Sequence, residues 1–467
     1  MLDIINNFLW GYVLIIALLG CAVYFTVRSR FVQFRMIREM VRLLSDSGAK
    51  DEDRAEHESH QHISSFQAFA ISLASRVGTG NLAGVASAIA VGGPGAVFWM
   101  WIIALLGAAS AFVESTLAQL YKTRHNKAYV GGPAYYMWKG LHSRWMSLTF
   151  AILITLTFGF AFNSVQSNTI CEAMTKAFDW NPVYMGSILT LLTAACIFGG
   201  LRRIARISSV IVPIMALGYI LLALVIVIMR IGELPHVIGL IISHAFGWEQ
   251  VFGGGVGMAV MQGIKRGLFS NEAGMGSAPN AAATASVSHP VKQGLIQTLG
   301  VFTDTLLICT CTAFIILFSG APLDGSADGV QLTQQALTME IGGSGEIFIA
   351  IAIFFFAFSS ILGNYYYGEA NIHFMTKRRW VITCYRLAVT GFVLFGSLTT
   401  LRTAWNLADL MMALMTLCNL VAIIRLSPVA FIMLKDYMNQ KKAGQKSPVF
   451  RKTSLPEQVQ KDVELWS

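Results

Sequence analysis

Apolar residues run through this chain in long blocks, not in the short alternations of a soluble fold. A bilayer core about 30 Å thick needs roughly 20 apolar residues per spanning helix, and about eleven such stretches can be placed. They lie near residues 8–27, 66–91, 96–120, 147–170, 182–200, 208–229, 252–288, 293–319, 346–368, 381–400 and 405–433. The pattern predicts an all-α polytopic membrane protein with short connections and no sizeable soluble domain. The second and seventh stretches are interrupted by polar, glycine-rich runs: Ser75-Arg76-Val77-Gly78-Thr79-Gly80-Asn81, and Lys265-Arg266-Gly267-Leu268-Phe269-Ser270-Asn271-Glu272-Ala273-Gly274-Met275-Gly276.

A helix unwound in hydrocarbon frees backbone N–H and C=O groups that only protein, ligand or water can satisfy. Half-helix N-termini then offer N–H groups to an anionic substrate, and free carbonyls can coordinate a cation. The interruptions lie five spans apart, the offset of an inverted repeat of five plus five helices. Their motifs also rhyme, Gly-x-Gly-Asn-x-Ala-Gly against Asn-Glu-Ala-Gly-x-Gly-Ser. The competing reading is close helix packing through small residues, of which Gly253 and Gly257 are an example. Polarity, glycine density and the five-span offset together favour a transport site.

Composition agrees with a lipid environment. Of 467 residues, 55% are hydrophobic and 13% charged, and the mean hydropathy is +0.59, too little polar surface to cover a soluble globule of this size. The net charge of +9 sits in short patches between apolar runs and lacks the aromatic interleaving of a nucleic-acid surface. Arg28, Arg30, Arg35, Arg38, Arg42, Lys50 and Arg54 crowd the first long connection. The positive-inside rule places it in the cytoplasm, the N-terminus outside and the tail inside. Later connections keep the alternation, with Lys122, Arg124, Lys127, Lys139 and Arg144, then Arg202, Arg203 and Arg206, against a Gly320–Gly345 stretch that has Asp324, Asp328 and Glu340 but no Lys or Arg.

The expected organisation is an N-terminal span and loop over 1–62, a ten-helix core over 63–434 built of repeats near 63–230 and 250–434, and a polar tail over 435–467. The tail is expected to be partly disordered and names no partner. The first apolar run lacks a basic leading region and a small-residue cleavage site, and reads as a retained span. All seven cysteines read as reduced packing residues.

Polar residues inside apolar spans are costly and usually face a cavity or a partner. Ser359 and Ser360 offer two adjacent hydroxyls to a hard monovalent cation, or bond back to their own helix. Asn163 and Gln166 share a helix face with Asn168 nearby. They read equally as site residues or interhelical hydrogen bonds. Glu114 and Asp304 are buried acids and candidate proton sites. Arg76 and Glu272, one in each interruption, are expected to pair. His57, His60 and His62 lie among Glu56 and Glu58 in a charged loop and read as solvated surface, not a metal cluster.

Four segments together resemble the alanine or glycine:cation symporter family, the sodium:alanine symporters, over nearly the whole chain. They are Ser72-Leu73-Ala74-Ser75-Arg76-Val77-Gly78-Thr79-Gly80-Asn81-Leu82-Ala83-Gly84-Val85, Gly92-Gly93-Pro94-Gly95-Ala96, Phe269-Ser270-Asn271-Glu272-Ala273-Gly274-Met275-Gly276-Ser277-Ala278-Pro279-Asn280 and Phe356-Ala357-Phe358-Ser359-Ser360-Ile361-Leu362-Gly363-Asn364-Tyr365. The Phe-Ser-Asn-Glu-Ala-Gly-x-Gly-Ser-x-Pro-Asn block is the most specific. The resemblance implies a leucine-transporter-type fold preceded by one extra span, and sodium-driven uptake of alanine, glycine or another small neutral amino acid. It further implies that backbone amides of Thr79 and Gly80 hold the substrate carboxylate. Ser270, Asn271 and Gly274 would line the pocket, with Asn81, Asn163, Gln166, Phe269 and Gly276 as further candidate substrate-binding residues. Sodium would bind the carbonyls of Ala74, Val77 and Phe356 with the hydroxyls of Ser359 and Ser360. Many members carry Trp where this chain has Asn364, a smaller and polar residue, so a larger or more polar substrate is implied.

The alternative within this fold is proton coupling through Glu114, Asp304 or Glu272. An enzyme is disfavoured, since neither His-Glu-x-x-His nor Gly-x-Ser-x-Gly occurs. A channel is disfavoured by paired interruptions, which suit alternating access. Beyond Na+, no cofactor is expected. The expected partners are the amino acid, Na+ and the inner-membrane bilayer, with no nucleic acid and no obligate protein.

Overall fold

A computed structural model describes residues 2–45, 63–125, 128–199, 201–247 and 255–466. The chain opens with α1 (Ile4–Arg28) and two short helices, Val32–Arg35 and Ile37–Leu44. Next come α2 (Ser65–Arg76), α3 (Gly80–Gly92) and α4 (Gly95–Leu120). Strands β1 (Thr123–His125) and β2 (Ala128–Val130) pair antiparallel, Thr123 opposite Val130. A short helix, Pro133–Lys139, leads to α5 (Arg144–Phe178), α6 (Pro182–Ile197) and α7 (Leu201–Met229). The second half holds α8 (Leu234–Ala245), α9 (Gly255–Asn271), α10 (Ala278–Ala282) and α11 (Pro290–Ser319). It ends with α12 (Val330–Ile341), α13 (Ser344–Met375), α14 (Arg379–Leu398) and α15 (Leu401–Lys442).

Among the described residues, eight helices are long and apolar enough to cross a membrane: α1, α4, α5, α7 from Val210 onward, α11, α13, α14 and α15. Their burial sorts them into layers. The apolar stretches of α4 and α13 are 67% buried and those of α7 and α14 only 28%, so the first two form the centre and the others the rim. Rim side chains such as Leu191, Ile214, Met229 and Leu387 are exposed, while Arg76, Glu114, Glu272 and Asp304 are buried. Apolar outside and polar inside is the arrangement a lipid solvent favours.

Local chemistry starts the elements that matter. A capping box opens α2, with Gln67 N donating to Ser64 Oγ at 3.1 Å and Ser64 N to Gln67 Oε1 at 3.0 Å, satisfying donors that would otherwise be orphaned. Asn181 and Pro182 do the same for α6. Helix α1 docks on the start of α15, where Asn6 Nδ2 donates to Asn406 O at 3.0 Å and Trp10 Nε1 to Asp409 O at 3.2 Å.

Three expectations change here. The tail is ordered: α15 runs to Lys442, and the chain then folds back so that Phe450, Leu455, Val463 and Trp466 are all buried. Four apolar anchors spread through a polar run are enough to hold it, although no contiguous apolar window announces them. Cys384 is exposed on the rim and is not a packing residue, though all seven cysteines are free thiols. Gly257 has nothing within 4 Å of where a Cβ would stand, so it is no close-packing site. Gly253 and His57, His60 and His62 lie outside the described residues. Helices α8 and α12 had no counterpart among the long apolar stretches.

At the tail-bearing end Glu39 accepts from Arg42 Nη2 and Tyr437 Oη, both at 2.6 Å, and pairs with Lys441 at 3.2 Å. Burial alone would raise its pKa, but these donors hold it down at about 2. Replacing Trp10 with Ala removes a ring that is 1% exposed and is expected to cost about 3 kcal/mol, read as a lower unfolding temperature in detergent. A variant as stable as wild type would show that α1 is not docked through this residue.

Candidate functional site

Helix α2 ends at Arg76, Val77 is extended (φ −78°, ψ 95°), and helical structure resumes with a π-helical turn, Gly80–Gly84. A Cβ on Gly78 would stand 2.2 Å from Ser360 Oγ and 2.8 Å from Gln166 Oε1, so only glycine fits. The freed amides find side chains. Gly78 N donates to Asn81 Oδ1 at 2.9 Å and Thr79 N to Gln166 Oε1 at 3.1 Å.

Helix α9 ends at Asn271, and the chain turns through left-handed backbone at Glu272 (φ 57°), Gly274 (φ 83°) and Gly276 (φ 89°) before α10. Glu114, from α4, braces this turn by accepting from Gly274 N at 3.1 Å. Asn419 Nδ2 donates both to Glu114 Oε2 at 2.8 Å and to Gly274 O at 2.9 Å, and Tyr136 Oη donates to Asn419 Oδ1.

The two interruptions meet at Asp304. Asn81 Nδ2 donates to Asp304 Oδ1 and Ser270 Oγ to Asp304 Oδ2, each at 2.7 Å. Asp304 lies in a π-helical stretch of α11, Phe302–Cys309, and Asn163 directly follows another, Thr157–Phe162 in α5. Such insertions redirect side chains and gather at functional sites. Across the gap a Cβ on Gly80 would stand 3.0 Å from Ser270 Cα and 3.1 Å from Phe269 Cδ1. The Phe269 ring packs between Phe162 and Trp405, at centroid distances of 4.4 and 4.6 Å.

Beside the first interruption lies a cluster of oxygens. Ser360 Oγ is 2.9 Å from Ala74 O, 3.2 Å from Val77 O and 3.0 Å from Phe356 O, and Ser359 Oγ is 2.8 Å from Phe356 O. A hydroxyl has one proton, so it cannot satisfy three carbonyls together. The surplus of carbonyl and hydroxyl oxygens is the coordination chemistry of a hard monovalent cation. Among the described residues no group of three or more His, Cys, Asp or Glu could hold a metal.

The site residues read from the sequence divide. Thr79, Gly80, Asn81, Gln166, Phe269 and Ser270 come together, and Asn364 joins them through Asn163, since Asn364 Nδ2 donates to Asn163 Oδ1 at 3.1 Å. Ser75 Oγ lies 2.8 Å from both Asn364 Oδ1 and Glu272 Oε1. Asn271 spends its Oδ1 on Ala273 N at 3.0 Å. Gly274 and Gly276 face away from the first interruption, toward Ser110 and Leu420 and toward Phe150 and Asn419, so they shape the turn itself. Asn168 bonds Thr399 O instead.

The expected Arg76–Glu272 ion pair is absent among the described residues. Arg76 leaves the end of α2 toward α11, where Nη1 donates to Gln297 O at 3.2 Å. Glu272 accepts two hydroxyls, Ser75 and Ser277, the latter at 2.5 Å. Sequence reasoning also missed a buried charged cluster between α9 and α15. There Arg266 forks onto Asp409 at 3.1 and 3.3 Å and Lys265 pairs with it at 2.5 Å. The Arg266 guanidinium lies 3.9 Å from the centre of the Trp405 ring. Asp409 and Asn419, polar within an apolar stretch, carried the signal that would have found both groups.

Residues 1–452 match the profile of the sodium:alanine symporter family. The probable sodium/glutamine symporter GlnT of Bacillus subtilis (strain 168) is 53% identical over 452 residues, 97% of this chain and 93% of that protein. The amino-acid carrier protein AlsT of the same strain is 53% identical over 466 residues, 100% of this chain and 97% of that one. The crystal structure of MhsT in complex with L-phenylalanine shares the fold, with a TM-score of 0.58 at 14% identity over 85% of this chain and 92% of MhsT.

Asp304→Ala would leave the Asn81 and Ser270 donors without their buried acceptor. It is expected to cost about 2 to 4 kcal/mol, read as reduced thermal stability in detergent. Unchanged stability would mean that the interruptions are not held together through this carboxylate.

Proposed function

The chain belongs to the sodium:alanine symporter family, and from that membership and the site geometry we propose that it imports a neutral amino acid together with Na+. It is a multi-pass membrane transporter of the leucine-transporter fold and not an enzyme, with Na+ as coupling ion. We read it as eleven spans with the N-terminus outside and the tail in the cytoplasm. The second and seventh spans are interrupted, within inverted halves near 63–230 and 250–434.

One observation carries the reading: the carbonyls of Ala74 and Val77 converge on Ser360 directly beside the amides of the first interruption. In the proposed mechanism Na+ takes the carbonyls of Ala74, Val77 and Phe356 with the hydroxyls of Ser359 and Ser360, tying α2 to α13. The amides of Thr79 and Gly80 take the substrate carboxylate, which displaces Gln166 from Thr79. Ser270, Phe269, Asn81 and Asn271 close the pocket, over the turn made by Gly274 and Gly276. Ion and substrate order the same residues, so each strengthens the other's binding by linkage. Asn163 and Asn364 present carboxamides to the substrate side chain, and a relative named as a probable sodium/glutamine symporter supports a polar side chain there.

In proteoliposomes an imposed sodium gradient is expected to drive uptake and a proton gradient alone to drive none. The reverse result would establish proton coupling in its place. Ser360→Ala is expected to raise the sodium concentration for half-maximal uptake about tenfold, the effect of about 1.4 kcal/mol. An unchanged sodium dependence would remove Ser360 from the ion site.

Competition among alanine, glycine, serine and glutamine tests the pocket. Glutamine is expected to compete at least as well as alanine, and Asn364→Trp to weaken glutamine more than tenfold while sparing alanine. Strict preference for alanine and glycine by the unaltered protein would sink the polar-pocket reading.

A further inference from the structure

At one end of the bundle the folded-back tail grips the exit of the second interrupted element and the end of α4. Its first part clasps the joint between α10 and α11. Lys292 Nζ donates to Ser447 Oγ at 2.7 Å, Ser288 Oγ to Pro448 O at 2.8 Å, and Phe450 N to Ser288 O at 2.9 Å. The Phe450 ring stands edge-on to His289 at 5.2 Å and to Trp466 at 5.4 Å. Its last part holds the end of α4 and the hairpin after it. Trp466 Nε1 donates to Gln119 O at 3.1 Å, and Glu464 pairs with Lys139 at 2.8 Å and accepts from Thr123 Oγ1 at 2.7 Å.

What the tail covers is itself a clamp. Gln119 Nε2 donates to the carbonyls of Ala282 and, at 3.0 Å, Ala285, and Lys122 Nζ donates to Ala285 O at 3.0 Å. Ser286 N in turn donates to Ile63 O at 3.1 Å, joining the exit of the second interrupted element to the entry of the first. Lys122 is 3% exposed. Its ammonium lies 4.2 Å from the Tyr129 ring centre and 5.0 Å from that of Trp466. Burial between one carbonyl and two aromatic faces pushes the Lys122 amine down to about 7, and water reaching it would restore its charge.

We propose that residues 447–466 are a latch that holds this end of the transport path shut. The proposal rests on the transport reading and orientation given above, under which this end faces the cytoplasm. For the substrate to leave inward, the Ile63 and Ala282–Ser286 segments must part, and the clamp of Gln119 and Lys122 must let go of Ala285. Trp466 seals that clamp, while Phe450 ties the same strap to the α10–α11 joint. Lifting the strap lets water reach Lys122 and loosens both halves together. The tail therefore brakes the inward-opening step and leaves the ion and substrate sites intact.

The test tethers the strap. Lys139→Cys and Glu464→Cys are combined in a protein whose exposed Cys384 is replaced by Ser, and the pair is joined by a short bis-methanethiosulfonate that reductant removes. Linking is expected to lower sodium-driven uptake at least tenfold while sodium and alanine or glutamine still raise the unfolding temperature, with uptake restored on reduction. A linked protein that transports at the unlinked rate would overturn the latch. Trp466→Ala, in the full chain, is expected to speed substrate exchange across the vesicle at least twofold, and exchange at or below the wild-type rate would overturn it independently. Wild-type protein in the same vesicles separates the two ideas. If it shows no sodium-driven uptake, the transport reading fails, whereas normal wild-type uptake with an unaffected linked protein rejects the latch alone.

Discussion

A backbone amide or carbonyl freed inside an apolar bundle has no water to fall back on, and this constraint organises the centre of the molecule. Each interruption is matched by polar side chains sent from a neighbouring continuous helix. Gln166 reaches Thr79 from α5, and Glu114 and Asn419 reach Gly274 from α4 and α15. Asp304 then joins the two interruptions from α11. The most buried helices of the bundle therefore carry polar residues that a purely packing role would forbid.

Charge is handled differently at the centre and toward the two ends. Glu114, Glu272 and Asp304 are all buried and all accept from neutral hydroxyls, carboxamides or backbone amides. Direct ion pairs belong to the two ends, where Lys265 and Arg266 meet Asp409 and where Lys139 meets Glu464. Neutral donors hold these carboxyl groups in place without an ion pair. Pairs at the ends tie together segments that are distant in the chain.

Much of this was legible before any coordinates. Polar glycine runs inside apolar stretches have a steep physical cost, so Gly78–Asn81 and Asn271–Gly276 stood out at once, and Ser359 and Ser360 did so for the same reason. The resemblance carried the carbonyls of Ala74, Val77 and Phe356, because backbone atoms leave no compositional trace. Side-chain direction was not legible. Arg76 and Glu272 occupy matching positions, yet one turns to Gln297 O and the other to Ser75 and Ser277. The tail escaped because hydropathy averages over a window, and four separated anchors vanish in the mean. Asp409 was legible as a polar residue in an apolar stretch, but its partners were not, since Arg266 lies 143 positions away in the chain.

The Ser75 hydroxyl stands at equal distance from Asn364 Oδ1 and Glu272 Oε1. Its single hydrogen can point at only one of them. Two hydrogen-bonded arrangements, related by one hydroxyl torsion, therefore fit the same heavy-atom positions. In one, Asn364 Oδ1 accepts the Ser75 hydrogen. In the other both of its lone pairs are open. Under the proposed transport reading, a substrate N–H on Asn364 would favour the second arrangement and turn the hydroxyl toward Glu272. One hydrogen atom thus links the Asn364 carboxamide to the second interruption.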